Sequence, residues 1–230
     1  MINTMSKHRT LDQSFFSKWT PAMAYVLGYF AADGSMIENK RGGHFIEFTS
    51  TDAVLIENLQ AVTGSNHRVA VRVRGGNSKI AYRLQIGSNK WFRDLEKLGF
   101  TPSKSTTLRF PKMPTSFLGD FIRGYFDGDG CVYSAYLKYA DRNQKRWTVQ
   151  TLFTSGSLGF LRSLHNILKS HGVRGGSIKS KLRGYELVFS HQDSLALYQL
   201  MYHTGPVSDL YLPRKREKLE QAIRVLKLRA

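Results

Sequence analysis

The stretches VLGYFAADG (residues 26–34) and IRGYFDGDG (residues 122–130) are loose copies of one another, and each heads the same run of predicted elements. That internal repeat constrains the fold more than any other feature of the chain, because a pattern written twice in order is the mark of two like units packed together. In the first copy, TPAMAYVLGYFAADG reads as a helix, with Thr20 able to cap it, Pro21 suited to its first turn and Gly34 in the place of the usual terminating glycine. A short alternating strand HFIEFTS follows, then the helix TDAVLIENLQAVTG, the strand pair HRVAVRVRGG and AYRLQIG, the helix SNKWFRDLEKLGF and the basic loop TPSKSTTLRFP. The second copy repeats this order with PTSFLGDFIRGYFDGDG, KRWTVQTLFTS, SLGFLRSLHNILKSHG, GSIKSKLRGYELVFS, QDSLALYQLMY and the basic segment LYLPRKREK. Small words recur too: FTS at 48–50 and 153–155, and Tyr-x-Leu at 82–84 and 185–187. The motif acids Asp33 and Asp129 stand 96 residues apart and the threonines of FTS 105 apart, so the second copy holds nine extra residues, placed by this reading in the polar stretch ADRNQKRW. The expectation is an α+β protein of two halves, 1–112 and 113–230, joined around RFPKMPTS.

The repeated Asp-Gly ends carry the chemistry. A helix C-terminus bears roughly half a negative charge, and a carboxylate there costs on the order of 0.3–1 kcal/mol. Such a cost at matched places in two copies points to a cation, and hard divalent ions accept carboxylate and carbonyl oxygens. Asp33 and Asp129 are the shared requirement, since the earlier acid Asp127 is matched by Ala31. The backbone around them, at Ala32, Gly34 and Gly128, completes the expected metal set. Gly28 with Ala32, and Gly124 with Gly128, lie four apart and give each helix a flat strip for close approach. Helices packed along those strips bring the two acids together, as two-metal phosphodiester cleavage requires. The plainer alternative is that both acids merely end helices.

Charge narrows the partner. Lys and Arg number 34 against 17 acids, a net charge of +17, which suits DNA, RNA or an anionic membrane surface. Apolar residues at 41% and charged ones at 22% fit a folded protein. The single cysteine, Cys131, leaves no intramolecular disulfide framework and no Cys-rich zinc site, and His165 and His171 show no paired metal spacing. No apolar run nears the ~18 residues of a membrane span, and the start MINTMSKHRT lacks the apolar core of a signal peptide, so the expected location is cytoplasmic or organellar.

The two nonapeptides resemble the two signature copies of the single-chain LAGLIDADG homing endonucleases, and the likeness in element order extends over roughly residues 20 to 225. IRGYFDGDG is a specific match; VLGYFAADG departs at Ala31, where the family has its first acid, and keeps the later one as Asp33. The resemblance implies two αββαββα halves packed through the signature helices, with antiparallel sheets forming a saddle over double-stranded DNA. It implies a monomer that cuts both strands of a long, pseudo-palindromic target, leaving short 3′ overhangs, with Mg²⁺ at Asp33 and Asp129 and with Mn²⁺ or Ca²⁺ able to replace it in binding. By position it nominates Lys104 in PSKS and Lys215 in LPRKR as catalytic, and Glu47 as the water-positioning residue, matched in the other half by Leu152. An RNA-splicing maturase and a non-cleaving DNA-binding regulator of the same fold are the alternatives.

Sequence readout is expected from the strands. Arg68, Arg72, Arg74, Arg83 and Gln85 in the first half answer to Lys179, Lys181 and Arg183 in the second, on the face opposite Val69, Val71 and Val73 or their counterparts. Lys138, Arg142, Lys145 and Arg146, around the longer polar stretch, are expected to reach flanking phosphates.

Overall fold

A computed structural model describes residues 9–73, 80–138, 144–203 and 209–227. Helix α1 (Pro21–Asp33) starts where Thr20 accepts the Met23 N–H at 3.0 Å and ends directly in strand β1 (Gly34–Glu38). Strand β2 (His44–Ser50), helix α2 (Ala53–Val62), strands β3 (Val69–Arg72) and β4 (Ala81–Gly87) and helix α3 (Asn89–Lys97) complete the first set. The second set runs α4 (Leu118–Asp129), β5 (Gly130–Lys138), β6 (Lys145–Ser155), α5 (Leu158–Lys169), β7 (Ser177–Lys181), β8 (Gly184–Ser190), α6 (Gln192–Tyr202) and α7 (Pro213–Val225). Each set makes one antiparallel sheet, in the orders β1-β2-β4-β3 and β5-β6-β8-β7. Among the described residues no helix is long and apolar enough to cross a membrane.

Register decides which residues face the helices. Ile46 lies opposite Ile86 and Phe48 opposite Leu84, all buried, while Glu47, Thr49, Arg83 and Gln85 alternate onto the open face. In the second sheet, Phe153 opposite Leu187 and Thr151 opposite Phe189 form the buried row. The recurrence of FTS now has a cause. Tyr29 of α1 donates its hydroxyl to the Thr49 carbonyl at 2.6 Å and Tyr125 of α4 donates to that of Thr154 at 2.7 Å, so each signature helix is pinned to its own sheet in the same way. The phenylalanines of the two words, Phe48 and Phe153, pack edge-on against Phe30 and Phe126, with centroids at 5.7 and 5.9 Å.

Four features differ from the reading of the residues. Strands β1 and β5 start at the glycines that were expected to end the helices, and Gly34 and Gly130 are extended, with φ of −87° and −90°, not left-handed. Glycine is needed there for room: a Cβ would run into the ring of Phe30 at the first corner and of Phe126 at the second. The segment after Leu212 is a helix, α7, although its counterpart after Thr101 is a series of turns. Val71 and Val73 do not face a core, being 59% and 74% exposed, and of the three valines Val69 alone packs against it. Finally, eight of the nine extra residues of the second copy lengthen two strands: β5 and β6 have nine and eleven residues where β1 and β2 have five and seven. Tyr136 and Trp147 pair across this extension with ring centroids 5.6 Å apart.

One buried arginine ties the chain's last quarter to the centre. Arg123, where α1 has Leu27, is fully buried; it pairs with Asp120, donates from Nε to the Leu210 carbonyl at 2.8 Å and also reaches the Met201 carbonyl. Arg123→Met would take the guanidinium away from Asp120 and from these carbonyls in a dry site. We expect a loss of about 3 kcal/mol in urea unfolding, largely relieved when Asp120→Asn is added, since a buried charge without its partner is the main cost.

Candidate active site

Helices α1 and α4 pack against each other along their small residues, and this contact sets the site. A Cβ built on Gly28 would overlap the Phe121 carbonyl and stand 2.9 Å from Tyr125 N; one on Gly124 would overlap the Tyr25 carbonyl and stand 2.9 Å from Tyr29 N. A Cβ on Gly128 would strike that of Ala32 and lie 3.4 Å from Asp33 Oδ2. The two helix ends are therefore in contact, and Asp33 and Asp129 act on each other electrostatically. Burial raises the Asp129 carboxyl to about 6, with the Asp33 charge adding to the rise and Lys104 and Lys215 opposing it. Asp33 is also raised by burial, opposed first by Lys215 and then by Lys104; its tip reaches solvent, but the protein packed around it displaces much of its water. Among the described residues neither carboxylate accepts a hydrogen bond from the protein.

The two nominated lysines are brought to these ends. Lys104 is buried, donates from Nζ to the Ala31 carbonyl at 2.9 Å and lies over the Phe30 ring, 5.4 Å from its centroid. Burial lowers its pKa to about 8, against the pull of Asp129 and Asp33. Lys215, also buried, places Nζ within 2.7, 2.8, 3.1 and 2.7 Å of the carbonyls of Phe126, Asp127, Gly128 and Gly130. A cation at the negative end of each helix thus offsets the unfavourable placement of the acids.

Asp127, the acid without a partner in the first copy, has a different place. Its Oδ2 accepts the Tyr25 hydroxyl and the Leu212 N–H, each at 2.8 Å, and burial raises its carboxyl to about 6. A cavity of about 240 Å³ opens beside Asp33, lined among others by Thr49, Asp52, Asp127, Gly128 and Arg214. Arg214 of α7 grips Asp52 with both ends of its fork, Nε to Oδ1 at 2.9 Å and Nη2 to Oδ2 at 2.6 Å. Reading the sequence nominated neither Arg214 nor Asp52; the one signal for Arg214 was its seat beside Lys215 in LPRKR.

This set suits a hard divalent cation. Two adjoining carboxylates with no protein donors leave their lone pairs to an ion or water, and burial that disfavours their charge is relieved by a positive ion. Ala32, Gly34 and Gly128 lie at the same corner, but the Gly128 carbonyl already accepts from Lys215. Among the described residues no group of three or more His, Cys, Asp or Glu could hold a metal, so the remaining ligands would come from backbone, water and substrate.

The other nominated residues lie on the sheets. Glu47, opposite Ser35 and Gln85 in the register, is held by Arg83 Nη1 at 3.1 Å and by Gln85 Nε2 at 3.3 Å, so these three form one network on the open face. Lys179 and Lys181 share the open face of the second sheet, with Lys181 at 2.6 Å from Glu186. Arg68 and Arg72 are exposed near the β3 edge, and Arg183 is exposed in the β7–β8 turn. Lys138 lies opposite Lys145, and alternation puts this pair on the other side of the hairpin from Arg146. Arg74 and Arg142 lie outside the described residues. His165 and His171 bond the Gly175 and Ile167 carbonyls at 2.8 and 2.9 Å, and Cys131 is exposed.

Comparison with known proteins agrees with this geometry. Residues 20–99 match the LAGLIDADG-like domain family. The reverse gyrase of Methanocaldococcus jannaschii is 32% identical over 98 residues, which are 43% of this chain and 6% of the reverse gyrase, so the chain spans only a small part of that relative. The homing endonuclease I-WcaI, solved bound to its DNA recognition sequence, superposes with a TM-score of 0.59 at 18% identity, over 90% of this chain and 91% of that one. The I-SmaMI LAGLIDADG homing endonuclease, solved with cleaved DNA, superposes with a TM-score of 0.57 at 16% identity over 91% of both chains. The family match is thus to residues 20–99, while the chain as a whole shares the two-domain fold of the solved LAGLIDADG meganucleases.

Proposed function

We propose that this chain is a site-specific double-strand DNA endonuclease that hydrolyses phosphodiesters with Mg²⁺ at a long, pseudo-palindromic target and leaves short 3′ overhangs. The observation that carries the reading is the juxtaposition of Asp33 and Asp129 at the touching ends of α1 and α4, with Lys104 and Lys215 beside them. Asp33 and Asp129 would hold the ion, which when bound supplies a nucleophilic water and relief of charge on the phosphoryl oxygens. Lys104, with its pKa near 8, can release or take a proton close to neutral pH, and when protonated it opposes negative charge developing at the phosphate. One acid comes from each copy of the repeat, so a single chain supplies both and a monomer suffices. The net charge of +17 fits a duplex partner, as does the presence of DNA in the solved I-WcaI and I-SmaMI complexes. On the open sheet faces, Arg83 and Gln85 offer planar groups suited to base edges, with Glu47 fixing their orientation; the arginines Arg68 and Arg72 offer the same kind of group, while Lys179 and Lys181 suit phosphates.

The test is incubation with a randomised duplex library and Mg²⁺, followed by sequencing of the ends. The expected result is cutting of both strands at one extended motif, stopped by a chelator. Cutting that ignores sequence, or that persists in the chelator, would overturn the proposal.

A further inference from the structure

The repeat places a lysine in the same four-residue pattern in both copies, Thr101-Pro102-Ser103-Lys104 and Leu212-Pro213-Arg214-Lys215, yet the fold treats them differently. In the second copy, Pro213 opens helix α7, and the Leu212 N–H just before it is held by the Asp127 carboxylate of α4 at 2.8 Å. One turn later Lys215 reaches back to four carbonyls at the end of α4. An ammonium has three N–H donors, so four acceptors within 3.1 Å use all of them. Helix α4 holds α7 by a carboxylate, and α7 holds α4 by an ammonium. In the first copy the acid is Ala31, no helix follows Pro102, and Ser103 has a φ of 62°. There, among the described residues, Lys104 Nζ has one acceptor, the Ala31 carbonyl, and two of its donors are unused.

We propose that the two lysines have unequal roles: Lys215 is a positioning residue, locked with Asp127 into a clasp that fixes the end of α4 and hence Asp129, while Lys104 alone keeps donors for the scissile phosphate. The second clause rests on the endonuclease reading; the clasp does not. Withdrawing Lys215 to meet a phosphate would uncover the last carbonyls of α4, whereas Lys104 can meet one without breaking its single bond. The unequal copies of the signature follow: the half whose lysine sits on a helix keeps the acid that seats the helix.

The experiment uses the full chain and the variants Lys215→Met, Asp127→Ala, their double, Lys104→Met and Lys104→Arg. In metal-free melts, Lys215→Met and Asp127→Ala should each lower Tm by more than about 4 °C, the double by little more than the larger single, and Lys104→Met by clearly less. With target duplex, Lys104→Met should slow single-turnover cutting about 100-fold at unchanged Kd, with partial rescue by Lys104→Arg. Carbon-13 signals of the lysine Cε atoms give a readout that needs no cleavage: on adding duplex in chelator, Lys104 should shift and Lys215 should not. Additive Tm losses, an equal loss from Lys104→Met, or a shift at Lys215 with none at Lys104 would overturn the proposal. If the wild-type chain cuts no duplex, the endonuclease reading fails, while the melts and the Cε signals still decide whether the lysines differ.

Discussion

Asp33→Asn or Asp129→Asn should yield a protein that folds and holds DNA but cuts neither strand, with double-strand cleavage reduced by more than about 1,000-fold. The substitution keeps the shape of the side chain and removes the charge that an ion needs. Stability gives an internal control. Burial and the neighbouring acid raise the Asp129 carboxyl, so its ionised form is disfavoured in the fold, and a neutral replacement should leave the metal-free Tm equal or higher. DNA affinity measured in chelator should stay within about tenfold, because the proposed phosphate contacts are cations on the sheets, and an acid offers a phosphate nothing but repulsion. Full cutting activity in either single variant, or loss of the folded state, would remove these residues from the catalytic role.

The second large effect belongs to the helix contact. Gly28→Leu or Gly124→Leu should destabilise the chain by at least about 4 kcal/mol, the upper range for a single substitution, because the new side chain meets a carbonyl group of the facing helix. A flexible neighbour could move aside; a backbone inside a helix cannot without carrying the helix with it. Since that displacement would separate Asp33 from Asp129, catalysis should fail even where the protein still folds at low temperature. Gly42, where a Cβ would meet nothing within 4 Å, is the matched control, and Gly42→Asn should cost under about 1 kcal/mol because asparagine tolerates its positive φ. Equal melting temperatures for the helix variants and this control would show that α1 and α4 can be parted without loss.

Much of this architecture was legible because it is local and repeated. Helices α1 and α4, the acids at their ends and the close-packing glycines follow from short-range pattern, and the second copy separates requirement from accident. Lys104 and Lys215 were legible only through the family resemblance, which supplied their position but not their contacts. Strands β1 and β5 belong to the αββαββα order that the resemblance implies, but the residues themselves hid them behind glycines that look like helix terminators, since a glycine required for room beside Phe30 or Phe126 reads the same as one required for a left-handed turn. Helix α7 was hidden by its charge: LYLPRKREK reads only as a basic segment until Asp127 supplies an anchor for its first turn.

The chain's own order of residues thus determined that there are two like halves, that each presents an acid at the end of a buried helix, and that a net charge of +17 suits an anionic partner. What only the tertiary structure decided is how the halves differ. Asp127 seats Leu212 across 85 positions, Arg214 grips Asp52 across 162, and Arg123 reaches the Leu210 carbonyl across 87. Periodicity and motif spacing report on neighbours within a turn or a strand, whereas these bonds depend on where distant segments are carried by packing; no local pattern marks which buried donor will meet which acceptor.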